Sequence, residues 1–277
     1  MEIKDLIHLG RENLKDIEYA DPNYEVSEII YKLTENDLTY IHTHLNEIVG
    51  EGTVLKFKEI LERRKNGEPL QYILNSAYFY GREYFVDRGV LIPRKDSEIP
   101  CEKIINLIKR NKLKDFLEIG VGSGCFSLTV NLETGINVKG VDISDDALKV
   151  SEINNERLNG SCNFFKSDLF SNVDGKFDII YSNPPYIKSD VIDTLQREVR
   201  DFEPRLALDG GDDGLKFYRD IAKAAPLYLK GGGYLAFEIG YDQRADIENI
   251  LRENNFINIE SFKDYGGKDR VVIGVRS

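Results

Sequence analysis

The pattern of apolar and polar positions changes near residue 77. Up to about residue 75, apolar residues such as Leu55, Ile60 and Leu61 recur with helical periodicity and predict a small helical bundle. From residue 97 onwards, seven short apolar runs are mostly separated by helix-like segments. This alternation predicts βαβ units and a mostly parallel α/β sheet covered on both faces. The runs are DFLEIG, INVKGVDI, NFFKSD, KFDIIYSN, GYLAFEIG, NFINIESF and RVVIGV.

Local signals predict where several elements begin and end. Asp21-Pro22 combines an N-cap residue with a proline at the first helical position. Thr53 predicts the start of a further helix, which we expect to stop at Gly67. Only residues 263–269 separate the last two apolar runs, which predicts a terminal antiparallel hairpin.

Three segments follow from these patterns. Residues 1–75 are expected to form the helical domain, and residues 97–277 the sheet domain. Between them, residues 76–96 contain the aromatic, roughly alternating stretch AYFYGREYFVDRGVLIPR. That stretch predicts a β-hairpin connector.

Composition and charge narrow the class of function. The formal net charge is −11, with 41% hydrophobic and 31% charged residues. A negative chain lacks the Lys and Arg excess that gives general affinity for nucleic acid, so we expect no direct nucleic-acid partner. Residues 1–75 alone carry nine Lys or Arg and fifteen Asp or Glu.

The chain contains no pattern typical of a metal site or a membrane segment. Cys101, Cys125 and Cys162 are far apart and form no CxxC pair, which fits a reducing cytosol and predicts neither disulfide nor zinc site. All three histidines precede the predicted sheet. The charged N-terminus is unlike a secretory signal, and no apolar run reaches the roughly 18 residues of a membrane span. We therefore expect a cytoplasmic protein without a metal.

A glycine-rich loop follows the first predicted strand. Ligands of such sheets bind beyond the carboxyl ends of the strands, where glycines allow a close backbone approach and a helix N-terminus supplies N–H groups. The spacing is GxGxG, unlike the GxGxxG dinucleotide fingerprint, and a purely structural turn is equally compatible with it. The candidate residues here are Glu118, Gly120, Val121, Gly122, Ser123 and Gly124.

Acidic residues end the next two predicted strands. Asp142 lies 22 residues after Gly120, where a carboxylate can accept hydrogen bonds from both ribose hydroxyls. Asp168 could reach an adenine amino group, with Leu169 and Phe170 against the ring. Helix capping is the alternative role for both acids, and a solvated turn is a further alternative for Asp168. Ser144 could cap the helix in place of Asp142. Together the three strand ends describe a site for an adenosine-containing ligand.

The fourth predicted strand ends in Asn183, Pro184, Pro185 and Tyr186. The prolines fix φ near −65° and remove N–H donors, which stiffens the loop. With the GxGxG loop and the acidic strand ends, this tetrapeptide resembles that of S-adenosylmethionine-dependent amino-methyltransferases. The resemblance implies that the Asn183 side-chain oxygen and the Pro184 carbonyl accept the two N–H groups of a planar amide or amine, with Tyr186 beside it.

Further segments resemble the PrmC/HemK family along nearly the whole chain. The resemblance implies a seven-stranded, Rossmann-like methyltransferase domain preceded by a helical substrate-recognition domain. It implies methylation of the glutamine in the Gly-Gly-Gln (GGQ) motif of class I peptide-chain release factors, with S-adenosylmethionine bound at the GVGSG loop, Asp142 and residues 168–170. Residues 93–98 read PRKDSE where the family usually has PRPETE, and Val121 replaces a usual threonine. The matching segments are GEPLQYIL, FYGREYFV, VLIPR, SNPPYI, EPRLALDGGDDGLKFY, GGYLAFEIGYDQ and KDYGGKDR.

Two other functions remain open at this point. A nucleic-acid amino-methyltransferase could use the same Asn-Pro-Pro-Tyr site on an adenine or guanine exocyclic amine. A binding protein could keep the fold without catalysis. A comparison of methyl transfer to a release factor, tRNA, rRNA and DNA distinguishes the first alternative from a release factor methyltransferase. Turnover of S-adenosylmethionine distinguishes an enzyme from a binding protein.

Overall fold

The computed structural model describes all 277 residues as two compact units, Met1–Ser76 and Ala77–Ser277. None of the helices is long and apolar enough to cross a membrane.

The regular elements of the first unit are all helices, and a single antiparallel β-bridge pairs Glu2 with Ile48. Asp21 caps α2 through hydrogen bonds from the backbone N–H groups of Asn23 and Tyr24, as the sequence predicts. A buried ion pair joins α4 to α2, with Arg64 Nε 2.7 Å from Glu25 Oε2. The helices are α1 (Ile3–Leu14), α2 (Pro22–Thr34), α3 (Leu38–Thr43), α4 (Glu51–Lys65) and α5 (Leu70–Leu74).

Helix α4 differs from the sequence prediction in its start and in its buried face. The helix begins at Glu51, two residues before Thr53. Leu55 is 69% exposed, whereas Phe57 and Leu61 are buried in the core of the bundle. Residues four apart share one face of a helix, and Leu55 and Leu61 are six apart, so the prediction that both face the core was wrong.

The second unit begins with an antiparallel hairpin and continues as alternating helices and strands. The hairpin strands are β1 (Ala77–Phe79) and β2 (Arg82–Tyr84). The remaining strands are β3 (Asp115–Ile119), β4 (Asn137–Asp142), β5 (Asn163–Lys166), β6 (Phe177–Ser182), β7 (Leu229–Glu238), β8 (Phe256–Lys263) and β9 (Asp269–Arg276). The helices are α6 (Glu98–Asn111), α7 (Cys125–Thr134), α8 (Asp145–Arg157), α9 (Arg197–Phe202), α10 (Lys216–Ala224) and α11 (Arg244–Glu253).

The seven strands β3 to β9 form one sheet in the order β5-β4-β3-β6-β7-β9-β8. Strands β3 to β7 pair in parallel, and β9 pairs antiparallel with both β7 and β8. The predicted seven-stranded, mostly parallel sheet and its terminal hairpin are therefore confirmed. The chain builds outward from β3 through β4 to β5 and then returns to place β6 on the other side of β3. This reversal opens a crevice at the carboxyl ends of β3 and β6.

Alternate residues of the central strands enter two separate apolar cores. On β3, Leu117 and Ile119 join one cluster of buried side chains, while Phe116 joins the other. On β6, Ile180 and Tyr181 divide in the same way. Because strand side chains alternate between faces, helices cover both sides of the sheet, which explains the continuous apolar runs in the sequence.

Candidate active site

A cavity of about 420 Å³ lies at the carboxyl ends of β3, β4 and β6. Its volume falls in the range of small-molecule sites. The sequence-predicted residues that line it are Glu118, Gly120, Val121, Gly122, Ser123, Asp142, Asp168, Leu169, Asn183, Pro184 and Pro185. The other three predicted residues, Gly124, Phe170 and Tyr186, do not line it.

The glycine loop between β3 and α7 leaves space at the cavity wall. Gly120 and Gly122 have φ angles of +80° and +51°, and a Cβ added to either would meet no atom within 4 Å. Glycine adopts these left-handed conformations without strain, and the missing side chains leave room for a ligand. Gly124 lies behind the wall, since its Cβ would lie 2.9 Å from Ser151 Cβ. It therefore serves the close packing of α7 against α8.

Asp142 holds the glycine loop to the end of β4. Its carboxylate accepts a hydrogen bond from the Gly122 N–H at 3.0 Å and another from the Ser144 N–H at 2.9 Å. Ser144 caps α8 by accepting from the Ala147 N–H at 3.2 Å, as the sequence allows. Although Ser144 caps the helix, the Asp142 carboxylate is not without partners, because it accepts these two hydrogen bonds from backbone N–H groups. Burial raises the pKa of Asp142, although these backbone hydrogen bonds oppose the change.

Glu118 places a second carboxyl group in the cavity wall. It is 3% exposed, and its Oε2 accepts from both the backbone N–H and the hydroxyl of Ser127 in α7. Burial raises the pKa of Glu118 to about 8. The residue thus links the end of β3 to the first turns of α7, next to the glycine loop.

The turn after β5 brings two of its three predicted residues to the cavity. Asp168 is exposed, and its carboxylate has no hydrogen-bond partner in the chain. Leu169 lines the cavity with a φ of +47°. Phe170 instead stacks on Tyr228 with ring centroids 4.5 Å apart and belongs to the apolar core. Phe170 is therefore a core residue behind the cavity wall, and its predicted place against the ligand is wrong.

The Asn-Pro-Pro-Tyr segment offers unpaired acceptors at the cavity. The Asn183 carboxamide is half-buried and forms no hydrogen bond with another residue, and the Pro184 carbonyl accepts none. Tyr186 packs against the apolar core, and its carbonyl accepts from Gln243 Nε2 at 3.1 Å. Burial raises the pKa of the Tyr186 hydroxyl. The segment is therefore anchored at Tyr186 and open at Asn183 and Pro184.

Both units of the chain match known protein families. Residues 5–74 match the family model of the PrmC N-terminal domain, and residues 98–211 match that of the methyltransferase small domain. The release factor glutamine methyltransferase of Fusobacterium nucleatum is 43% identical over 93% of this chain and 73% of its own. The chain belongs to the release factor glutamine methyltransferase family. The enzyme of that name from Clostridium acetobutylicum is 37% identical over 100% of this chain and 99% of its own.

A solved structure supports the fold of the second unit. A methyltransferase from Pyrococcus furiosus superposes with a TM-score of 0.54 and 18% identity, over 72% of this chain and 91% of its own. The predicted membership in the PrmC/HemK family and the predicted methyltransferase fold are confirmed.

Sequence reasoning missed cavity residues in three parts of this release factor glutamine methyltransferase family member: the connector with the turn that follows it, the segment after α9, and helix α10. Segments VLIPR and EPRLAL carry the family resemblance, and that signal could have placed their residues at the site. The missed lining residues include Phe79, Val90, Leu91, Pro93, Arg94 and Ser97 before β3, and Pro204, Leu206, Ala207, Lys216, Phe217 and Ile221 after β6.

The departure PRKDSE forms a short 3-10 turn that is fastened to the sheet. Asp96 pairs with Arg270 of β9 at 3.0 Å, and the Ser97 hydroxyl donates to Glu238 Oε1 of β7 at 2.9 Å. The unusual residues therefore keep polar anchors at the cavity wall.

Proposed function

We propose that this protein transfers a methyl group from S-adenosylmethionine to the side-chain amide nitrogen of the glutamine in the GGQ motif of class I release factors. Family membership supports the reaction class and the substrate. The single observation that carries the catalytic assignment is the pair of unpaired acceptors, Asn183 and Pro184, at a cavity that also contains the glycine loop and Asp142.

The residues of the cavity fit S-adenosylmethionine. The open faces of Gly120 and Gly122 leave room beside the loop, and Asp142 still has acceptor capacity for ribose hydroxyls. The free carboxylate of Asp168 and the side chain of Leu169 suit the amino group and the face of an adenine ring. When bound there, S-adenosylmethionine would supply an electrophilic methyl group on a positively charged sulfur, and the neutral thioether S-adenosylhomocysteine would be the leaving group.

Asn183 and Pro184 would hold the glutamine amide. An amide nitrogen is a weak nucleophile because its lone pair is delocalised into the carbonyl group. Two fixed acceptors on its N–H groups orient the nitrogen and favour the more positive nitrogen of the transition state. Pro184 and Pro185 limit backbone rotation, so that the acceptors are in place before the substrate arrives.

The proton released from the nitrogen would pass to water. Residues 77–277 contain no histidine that could act as a base. A methylated amide carrying an additional proton is strongly acidic, so it needs no strong base. The chain's contribution is therefore orientation and electrostatics.

We propose that each of the three predicted segments has its own role. We assign substrate recognition to residues 1–75, the lining of the donor site to the connector 76–96, and methyl transfer to residues 97–277. The nine basic and fifteen acidic residues of the first segment favour a protein partner over a nucleic acid. Since release factors act on ribosomes, we assign the reaction to the cytoplasm.

Radiolabelled methyl transfer tests the proposal directly. The purified protein would be incubated with labelled S-adenosylmethionine and, in parallel, a release factor, tRNA, rRNA and duplex DNA. We expect label in the release factor alone. Label in a nucleic acid but not in the release factor would overturn the substrate assignment, and binding of S-adenosylmethionine without transfer to any of them would favour a binding protein.

A further inference from the structure

Glu238 is a buried carboxyl group at the end of β7 that does not itself line the cavity. It is 2% exposed, although β7 pairs with β6, the strand that Asn183 directly follows. Its Oε1 accepts from the Ser97 hydroxyl at 2.9 Å, and its Oε2 accepts from the Tyr181 hydroxyl at 3.1 Å. Both donors line the cavity. One carboxylate therefore joins two separate parts of the cavity wall.

The two joined parts come from distant stretches of the chain. Ser97 ends the 3-10 turn Lys95–Ser97 that directly follows Arg94, whereas Tyr181 lies on β6, two residues before Asn183. Tyr181 also stacks on Phe126 of α7 with ring centroids 3.7 Å apart, and Phe126 lines the cavity as well. A shift of Glu238 would therefore displace Ser97 and Tyr181, and through Tyr181 also the stacked ring of Phe126.

Other contacts hold Glu238 itself in position. The Tyr218 hydroxyl of α10 donates to the Glu238 backbone carbonyl at 2.9 Å. Asp96, next to Ser97, is tied to Arg270 of β9 at 3.0 Å, and β9 pairs with β7. Because this second tether remains when the first is cut, loss of the Ser97–Glu238 bond should displace the turn without unfolding the protein.

We propose that Glu238 is a positioning residue that fixes Ser97 and Tyr181 relative to each other and thereby shapes the donor cavity. The inference rests on the proposed function, since it takes S-adenosylmethionine as the ligand whose fit is being set. Glu238 acts through two hydroxyl groups and has no direct contact with the reacting atoms. Its loss should therefore affect donor affinity more than the chemical step.

A double-mutant cycle measures this role. Calorimetry would give the S-adenosylmethionine affinity of the wild type, Glu238→Gln, Ser97→Ala and the double variant, with no release factor present. We expect each single change to weaken binding by about tenfold, as for the loss of one hydrogen bond in a buried network. Glu238→Gln cannot accept from both hydroxyls, because one carboxylate oxygen becomes an NH2 group, so either single change breaks the bridge between Ser97 and Tyr181. The double variant should therefore also lose about tenfold rather than a hundredfold.

Two further variants separate positioning from general damage. Ser97→Thr keeps the hydroxyl and should keep wild-type affinity. Asp178→Asn removes a carboxylate of the same sheet at the opposite end of β6, where it accepts from the Lys114 and Asp115 N–H groups, and should leave affinity unchanged. Steady-state kinetics should show a raised KM for the donor in Ser97→Ala with kcat within about twofold.

Each outcome decides the inference. Unchanged affinity in both single variants, or losses that multiply in the double variant, would overturn it. If Glu238→Gln fails to fold, a cycle of Ser97→Ala with Tyr181→Phe cuts the two ends of the same bridge, and losses that multiply in that double variant would overturn the inference too. A wild-type protein that binds no S-adenosylmethionine would overturn the proposed function itself, whereas normal wild-type binding with unaffected variants would overturn this inference alone.

Discussion

Nη2 of Arg94 lies 2.7 Å from each carboxylate oxygen of Glu203. The two residues are 109 positions apart in the chain, one in the connector and one after α9. Arg94 lines the cavity, and Glu203 is followed at once by the lining residue Pro204. A second contact joins the same two segments, since the Arg88 guanidinium lies 4.9 Å from the centre of the Phe202 ring. The connector and the segment after α9 are thus fastened together at the cavity.

Arg94→Ala should lower the free energy of unfolding by about 2 kcal/mol, because it leaves the carboxylate of Glu203 without its cation. Glu203 has a side chain only 1% exposed, but Arg94 is 38% exposed, which reduces the loss below that of a fully buried pair. Urea denaturation of the intact chain measures the change. Arg205→Ala is the control, since its pairs with Asp193 and Asp209 lie on the surface and should contribute little. Equal effects of both variants would contradict the assignment.

Asn183→Ala should reduce kcat by two or more orders of magnitude while S-adenosylmethionine still binds. Loss of one oriented acceptor at a developing charge typically costs about 2.7–4 kcal/mol. Initial-rate methylation assays give kcat, and calorimetry gives the affinity for S-adenosylmethionine. Asn183→Asp retains an oxygen acceptor and should lose less than the alanine variant. Turnover at the wild-type rate in Asn183→Ala would remove this residue from the mechanism.

Asp142→Ala should weaken S-adenosylmethionine binding by more than tenfold. The change removes the proposed ribose acceptor and also frees the Gly122 N–H that Asp142 holds at 3.0 Å. Isothermal calorimetry reports the affinity. Asp145→Asn is the matched control and should bind normally, since it alters only an exposed pair between the start of α8 and Lys166 of β5. An unchanged affinity in Asp142→Ala would exclude the ribose assignment.

The buried carboxyl groups should make stability fall as the pH rises. Burial raises the pKa of Glu118 to about 8 and that of Glu238 to about 7, both from 4.5. A carboxyl group with a raised pKa in the folded state contributes fully below its unfolded pKa and loses that contribution as the pH passes the folded value. A tenfold difference in proton affinity between the folded and unfolded states corresponds to about 1.4 kcal/mol of stability.

Glu118→Gln isolates this effect, because glutamine does not ionise. Between about pH 5 and pH 8, wild-type stability should decrease relative to that of the variant. Denaturant titrations at a series of pH values provide the two curves. Parallel curves across this range would show that ionisation of Glu118 is not linked to folding. Added S-adenosylmethionine, as a cation beside the carboxylate, should reduce the difference.

The sequence predicts most of the fold because its apolar runs match the burial of a two-sided sheet. Every predicted strand from β3 to β9 is present, and Asp21 caps its helix as expected. The prediction fails at α4, where Leu55 is exposed although it is apolar. Side-chain direction there depends on the exact helical phase, which three apolar residues at uneven spacing do not determine.

The candidate site is only partly accessible to sequence reasoning. Strand ends reveal Glu118, Asp142 and Asn183 because the parallel topology brings consecutive strand ends together. The pairs Arg94–Glu203 and Ser97–Glu238 join residues more than 100 positions apart, and no local pattern encodes such contacts. For Phe170 the prediction was wrong in the other direction: it was expected at the ligand, but its side chain lies in the apolar core next to the lining residue Leu169.

Mass spectrometry of a release factor tests the central claim most directly. A class I release factor would be incubated with S-adenosylmethionine and either the wild-type protein or Asn183→Ala, then digested and sequenced by fragmentation. We predict one added methyl group on the side chain of the GGQ glutamine with the wild type, and a large reduction of that product with the variant. An unmodified glutamine after incubation with active, donor-binding wild-type protein, or a methyl group on another residue, would contradict the account.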